Sequence, residues 1–342
     1  MLHRALGFLC AALLVLVSGC GGGQATNPSP QPSSTPSSST ISLSSTSFPL
    51  TITDTIGRQV TLERRPERVV FLAGTPLNVW YDAGGTAVGR PELTGNIRLV
   101  DEHADQIMAL PSVGMPYAID AEAVAALQPD LVVGVEGPQN EAVESFQELG
   151  INSILVKIRS QSDLQQAYGA FGVLGGSPRV AEGRITAINA QCDRVLARIP
   201  DRDVSVAMVF VTAETLAVKL DNSIVGQMAT QLGWKNIFSG ATPDNPGSET
   251  TPLDIEYMVS QQPDYVLVTS MVGSNELARD TFQAKLDSNP AWQAIDAVRA
   301  GRIGYLPQQY FLYNAGPYYG DALTYLAAIV YPDVFGSPVE PR

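Results

Sequence analysis

Two hydrophobic rhythms alternate along the chain from residue 48 onward. Short, nearly continuous apolar runs such as Val69-Val70-Phe71-Leu72 and Leu131-Val132-Val133 suit strands buried on both faces. Between them, apolar residues recur at three- and four-residue spacing, the mark of amphipathic helices. The pattern predicts strands within 48–62, around a turn at 54–57, and at 68–72, 131–135, 153–158, 204–211, 216–219, 265–269 and 303–306. It predicts a helix following the break at Gly74-Thr75-Pro76, to about 82, and helices over 120–128, 141–149, 223–232, 254–261, 292–300 and 318–330. Strand–helix alternation of this kind implies an α/β layer with a parallel sheet, and here it occurs twice. The segment between the two occurrences is different. Residues 163–174 and 179–199 read as helices, interrupted by Gly175-Gly176-Ser177-Pro178 and closed by Pro200. At about 1.5 Å per residue the second spans about 30 Å, enough to cross a domain. The division expected is an N-terminal lobe at 48–162, a helical connector at 163–200 and a C-terminal lobe at 201–342.

The first 47 residues carry neither rhythm. His3 and Arg4 precede an apolar run from Ala5 to Val17, too short for a stop-transfer helix but suited to a signal-peptide core. The run ends in Leu16-Val17-Ser18-Gly19-Cys20, which looks like a lipobox: residues 1–19 form the signal peptide and Cys20 receives lipid. Residues 21–47 are almost entirely Gly, Ser, Thr, Pro, Asn and Gln, so they are expected to form a flexible tether. A globular body is thereby held outside the cytoplasm, lipid-anchored to the cell membrane, periplasmic or at the cell surface. With Cys10 lost and Cys20 modified, Cys192 has no disulfide partner and is expected to be an inert, partly buried thiol.

Composition narrows the classes. A chain of 342 residues suggests about two domains. The formal charge of −13 and pI near 4.6 argue against a nucleic-acid partner, which wants a basic face. Ordinary levels of Gly and Pro exclude a collagen, and the pattern is neither a coiled coil nor a multi-span membrane protein.

One local match links the halves. Asp120-Ala121-Glu122 precedes Pro129-Asp130-Leu131-Val132-Val133, and Asp254-Ile255-Glu256 precedes Pro263-Asp264-Tyr265-Val266-Leu267, every position offset by 134. Asp120 and Asp254 stand where a helix N-cap would. Glu122 and Glu256 fall in the first turn, where the helix dipole favours a carboxylate. By themselves these acids read equally well as helix-capping surface residues or as partner contacts.

Longer motifs then point to a family. Ile52-Thr53-Asp54-Thr55-Ile56-Gly57-Arg58-Gln59-Val60-Thr61-Leu62 followed by Pro66-Glu67-Arg68-Val69-Val70, the 122–133 segment, Asn289-Pro290-Ala291-Trp292 with Ala297-Val298-Arg299-Ala300-Gly301-Arg302-Ile303, and residues 310–332 come in a telling order. Together they resemble the class III (cluster A) substrate-binding proteins of ABC importers for ferric siderophores, haem and cobalamin. The resemblance implies two Rossmann-like lobes with central, mostly parallel sheets, joined by one long inter-lobe helix and moving little against each other. It implies a ligand in the cleft between them, and a membrane permease with a cytoplasmic ATPase as partner. It also implies that Glu122 and Glu256 dock the permease.

In doubly wound sheets ligands meet loops at the carboxyl ends of strands. Here those are 73–76, 114–117, 136–139, 270–274 and 307–316, which puts forward Thr75, Trp80, Tyr117, Tyr310 and Tyr313 as ligand contacts. Aromatic faces suit bulky chelates and macrocycles, though an aromatic in an apolar stretch also reads as core, as Trp234 does. Arg159 follows a strand and would favour a carboxylate or catecholate chelate, or else form a surface ion pair. Once the signal is cut, His103 is the sole histidine, so a bare metal site is not expected; an axial haem contact or a solvated loop position remain for it. No phosphate loop, nucleophile elbow or His-Glu-x-x-His motif is present, so no enzyme is expected. The leading expectation is a lipoprotein that captures a ferric siderophore for an ABC importer, with no cofactor of its own. Haem or cobalamin as cargo is the alternative, and a surface hydrolase or chelatase on a similar scaffold a more distant one.

Overall fold

Strand side chains alternate between two faces, and in this protein both faces are buried in different company. A computed structural model describes residues 40–341; the predicted signal peptide, Cys20 and the tether up to residue 39 lie outside the described residues. Within them β1 (Ser42–Leu43), β2 (Leu50–Thr53) and β3 (Gln59–Leu62) form an antiparallel sheet. Then come β4 (Val69–Phe71), α1 (Gly74–Asp82), α2 (Ala104–Met108), the hairpin β5 (Gly114–Met115) to β6 (Ala118–Ile119), α3 (Ala121–Ala126), β7 (Leu131–Val135), α4 (Asn140–Glu148) and β8 (Ser153–Val156). Strands β4, β7 and β8 form the parallel sheet of the N-terminal lobe.

The connector is α5 (Gln161–Gly175) and α6 (Pro178–Leu196). The C-terminal lobe runs β9 (Ser205–Val211), β10 (Leu216–Lys219), α7 (Ile224–Gln231), β11 (Lys235–Asn236), β12 (Thr250–Pro252), α8 (Ile255–Gln261), β13 (Tyr265–Ser270), α9 (Asn275–Ser288), α10 (Asp296–Arg299), β14 (Ile303–Tyr305), α11 (Gln308–Phe311), α12 (Tyr319–Val330) and α13 (Pro332–Phe335). Its sheet order is β12-β10-β9-β13-β14, with β11 also pairing β9; β9, β11, β13 and β14 are parallel, while β10 and β12 are antiparallel additions. The protein is thus α/β with two lobes on mostly parallel sheets.

The tether expected through residue 47 ends sooner. Ile41 is buried and β1 pairs with β2, Leu43 opposite Ile52. Two apolar residues at alternate positions suffice to add a strand to an open sheet edge. A second departure is α9, where the sequence pattern predicts no helix. Its buried side chains Ala278, Phe282 and Leu286 recur every four residues, so the helical spacing was present but sparse. The helix expected at 292–300 is two pieces, a tight turn over Pro290–Ala294 and then α10.

Each sheet contributes one face to a common core. Val69 and Phe71, Leu131 and Val133, and Ile154 and Val156 from the N-terminal sheet belong to the same buried cluster as Val206, Met208 and Leu267 of the C-terminal sheet. Residues of α5, α6 and α12 fill the space between, including Phe171, Cys192 and Leu326. Alternate residues face away, Val70, Val132 and Leu155 into one satellite core and Ala207, Val209 and Val266 into another. The Cys192 thiol is fully buried and is pushed up to about 11 by burial first and by Asp193 second.

The connector is two helices folded back on one another rather than one rod. Helix α5 packs on α1, and α6 lies between α5 and α12. The break is at Gly176, whose φ of 77° only glycine adopts readily; Gly176 N–H bonds Val173 O and Ser177 N–H bonds Gly172 O, closing a left-handed cap before Pro178 starts α6. At the other end Ser160 and Asp163 form a capping box.

Phe171 of α5 sits edge-on to both Phe71 and Trp80, at 6.0 and 5.5 Å between ring centres. Phe171→Ala is therefore expected to cost about 3–5 kcal/mol, read as a lower midpoint in denaturant unfolding.

Candidate functional site

The loops at the carboxyl ends of the two sheets face each other, and one buried glutamine on each side holds them. Gln139, at the start of α4, accepts Val135 N–H at 2.8 Å and donates to Leu72 O at 2.7 Å and Pro116 O at 2.9 Å. It thus ties the ends of β4 and β7 to the β5–β6 turn. Gln308, opening α11, donates to Ser270 Oγ at 3.1 Å and Val272 O at 2.8 Å, and its own N–H is taken by Asn275 Oδ1 at 2.9 Å. That joins the end of β13 to the start of α9. Both glutamines are buried, where an unpaired amide would be costly, so the loops are fixed rather than draped.

Between these loops lies a cleft of ≈ 720 Å³, within the range of small-molecule sites. Its N-terminal wall is the β5–β6 turn with Met115, Pro116 and Tyr117, and residues 92–97. Its C-terminal wall is residues 271–276 and the α11 region with Gln308, Gln309, Leu312 and Tyr313. Tyr117 is 77% exposed. Tyr313 is half-buried; burial raises its phenol above the ordinary value, and the neighbouring Tyr117 adds to that.

The 92–97 wall was not foreseen. Its chain is pinned at both ends: Glu92 N–H bonds Gly114 O at 2.7 Å, and Asn78 donates to Arg98 O and accepts Val100 N–H, each at 2.9 Å. Gly74 lets it lie close, since a Cβ there would stand 2.1 Å from Ile97 Cδ1. The same stretch is held by the other lobe. Gln309 donates to Gly95 O at 2.9 Å, Tyr318 donates to Leu99 O at 3.0 Å, and the Arg98 guanidinium lies 3.8 Å over the Tyr318 ring.

Four residues put forward as ligand contacts stand elsewhere. Trp80 is 1% exposed, packed against the tilted Phe71 ring and edge-on to Phe171, with Nε1 donating to Thr86 O at 2.9 Å; it is core because α1 turns that face onto α5. Thr75 Oγ1 donates to Asn314 O at 2.9 Å across the lobes. Tyr310 is buried against Phe311 and Tyr325, with its hydroxyl accepting from Arg98 at 3.3 Å. Arg159 does not line the cleft but pairs with Glu249 at 2.7 Å, which also meets Lys219 at 3.6 Å. All of Thr75, Tyr310 and Arg159 therefore join one lobe to the other. His103 lies 5.6 Å from the Tyr81 ring, away from the cleft lining. Among the described residues no group of three or more His, Cys, Asp or Glu could hold a metal ion, and no helix is long and apolar enough to cross a membrane.

Outside the cleft the internal match is structural. Asp120 Oδ1 caps α3 through Ala123 N–H at 2.9 Å, and Asp254 Oδ1 caps α8 through Tyr257 N–H at 3.0 Å. Glu122 and Glu256 are exposed in the two first turns. The match extends beyond the helices: Gln128 and Gln262 both take positive φ, 45° and 46°, and Asp130 and Asp264 each bond backbone N–H groups at the start of a strand region, Arg68 and Ser205 at 2.8 Å.

Residues 69–310 match the family described as periplasmic binding proteins. The chain belongs to that family. The family resemblance read from the sequence holds at the level of family and fold. An uncharacterized ABC transporter substrate-binding lipoprotein, YvrC of Bacillus subtilis (strain 168), is 23% identical over 345 residues, 98% of this chain and 99% of that protein. Among solved structures, S. aureus IsdE complexed with heme superposes with a TM-score of 0.67 at 19% identity, over 77% of this chain and 98% of that one. An ABC-type Fe3+-hydroxamate transport system protein from Saccharomonospora viridis DSM 43017 gives 0.66 at 21%, over 85% and 100%. These likenesses concern the two-lobed fold that sets the two loop clusters of this periplasmic binding protein face to face.

Gln139→Leu keeps the volume but leaves Val135 N–H, Leu72 O and Pro116 O without that partner. A loss of about 1–3 kcal/mol in unfolding free energy is expected, with faster amide exchange in residues 114–117.

Proposed function

We propose that this protein is the extracytoplasmic substrate-binding component of an ABC importer and that its cargo is an iron chelate, foremost a ferric siderophore. The observation that carries the reading is the cleft itself. It is an open space of ≈ 720 Å³ between two lobes, walled by Tyr117, Tyr313, Met115 and Met271 with amides at Asn96, Asn275, Gln308 and Gln309. Aromatic and thioether surfaces suit the body of a chelator, and the Asn96 amide, which is not used to hold the loops as Asn275, Gln308 and Gln309 are, suits its peripheral carbonyls and hydroxyls. Iron would be held by the chelator, with no ligand from the protein. The superposable Fe3+-hydroxamate transport protein and the lipoprotein relative support the same role.

Haem is the second reading, favoured by the two cleft tyrosines, since a phenolate can ligate haem iron. Burial at Tyr313 works against it by making the phenolate costlier. Cobalamin fits the same architecture.

Glu122 and Glu256 dock the permease in this proposal. They are held at equivalent places on two lobes by capped helices, so they offer orientation as well as attraction. The transmembrane subunits, driven by a cytoplasmic ATPase, receive the cargo, and lipid at Cys20 keeps the carrier near them.

Titrating the mature protein with ferric siderophores, haem and cyanocobalamin is the direct test. A cargo at 100 times its dissociation constant is expected to stabilise the fold by ~2.7 kcal/mol, visible as a raised melting temperature. No shift with any member removes the iron-chelate reading together with its haem and cobalamin alternatives. Replacing Glu122 and Glu256 together by Ala is expected to abolish uptake by cells while leaving binding unchanged; lost binding would mean that these acids act on the fold or the cleft instead.

A further inference from the structure

The cleft carries charge of one sign. Glu92 lies on the N-terminal wall and Glu276 on the C-terminal wall, and the described lining residues include no lysine, arginine or histidine. Both glutamates are exposed, and neither takes part in an ion pair among the described residues.

The cations nearest in sequence or on the flanking elements are committed elsewhere. Arg90 donates to Pro91 O and Met108 O, and Arg98 is held by Tyr310, Tyr318, Asp101 and Asp321. Arg159 is held by Glu249 and Arg279 by Glu340. The start of α9 faces the cleft at Ser274 and Asn275, but Glu276 in its first turn offsets the positive end of that helix. The two tyrosine faces that remain, Tyr117 and Tyr313, attract cations rather than anions.

Resting on the iron-chelate reading above, we infer that the cleft sorts chelates by charge: Glu92 and Glu276 make it a receptor for neutral or cationic ferric complexes, of the hydroxamate class, and turn away anionic ones. Three singly charged hydroxamates neutralise one ferric ion, and a pendant ammonium makes such a complex a cation. Catecholates are doubly charged and leave the ferric complex strongly anionic, and haem brings its propionates. For those, this cleft supplies no counter-charge and two carboxylates, and like charges facing each other in a partly enclosed site are costly.

The test uses the mature protein and complexes of graded charge: ferrioxamine B (cationic), ferrichrome (neutral), ferric enterobactin and haem (anionic), and cyanocobalamin. Dissociation constants are measured at low and high salt. Ferrioxamine B and ferrichrome are expected to bind at least about tenfold more tightly than ferric enterobactin or haem. Added salt is expected to weaken ferrioxamine B and spare ferrichrome. In the double variant Glu92→Gln, Glu276→Gln, ferrioxamine B is expected to lose about three- to tenfold in affinity, ferrichrome to change little, and the gap to the anions to narrow. Glu141→Gln, on α4 outside the cleft lining, serves as the control and is expected to change none of these.

Tight binding of an anionic complex by the native protein, or an unchanged order in the double variant, overturns charge selection and leaves the importer reading standing. Binding of none of the complexes fails the iron-chelate reading itself, so the two failures are told apart. Melting temperatures of the variants, expected to match the native protein because both glutamates are exposed, exclude misfolding as the cause.

Discussion

The two sheets turn one face each toward α5, α6 and α12, and the side chains they bury there form a single apolar cluster. Most of the molecule's behaviour follows from that shared burial. A pair of domains joined only by extended crossover strands can swing, because a few backbone dihedrals absorb the motion. Here, separating the lobes would open a packed interior, and interiors resist deformation because their atoms are already at close-packed density. The polar contacts across the joint, Arg159 to Glu249 and Thr75 to Asn314, add direction to a restraint that is mainly apolar.

Rigidity in the sheets reaches the cleft through two buried glutamines. Gln139 and Gln308 differ in lobe and in partners, yet each bonds the backbone at a strand end and at the loop beyond it. A cleft built in this way presents its walls ready-made, so little ordering entropy is left to be lost when a guest arrives. The charge of those walls is then a fixed property of the site, set by which side chains the loops expose.

Much of this was legible from the chain. Runs such as Val69 to Phe71 and Leu131 to Val135 announce buried parallel strands because they are short, apolar and bounded by Gly and Pro turn residues. The paired Asp120 and Asp254 announce helix starts because a carboxylate there satisfies free amides, and both do so. The cleft was half legible. The loops bearing Tyr117 and Tyr313 follow from strand ends, but Tyr310 and Tyr313 belong to the same short stretch and part ways, one against Tyr325 in the core and the other on the wall. Only packing on α12 distinguishes them. Arg159 found Glu249 across the lobes, a pairing that local sequence cannot display. The wall at residues 92–97 has no regular structure, and so it offers no rhythm to read.

That wall belongs by sequence to one lobe and is bonded to both, through Asn78 on its own side and through Gln309 and Tyr318 on the other. A guest resting on it touches a suture. If its grip depends on how well that suture is closed, thermodynamic reciprocity requires the converse: whatever pries the suture open loosens the guest by the same free energy. In the proposed importer role, unloading would then need no separate latch, only a partner able to strain the seam.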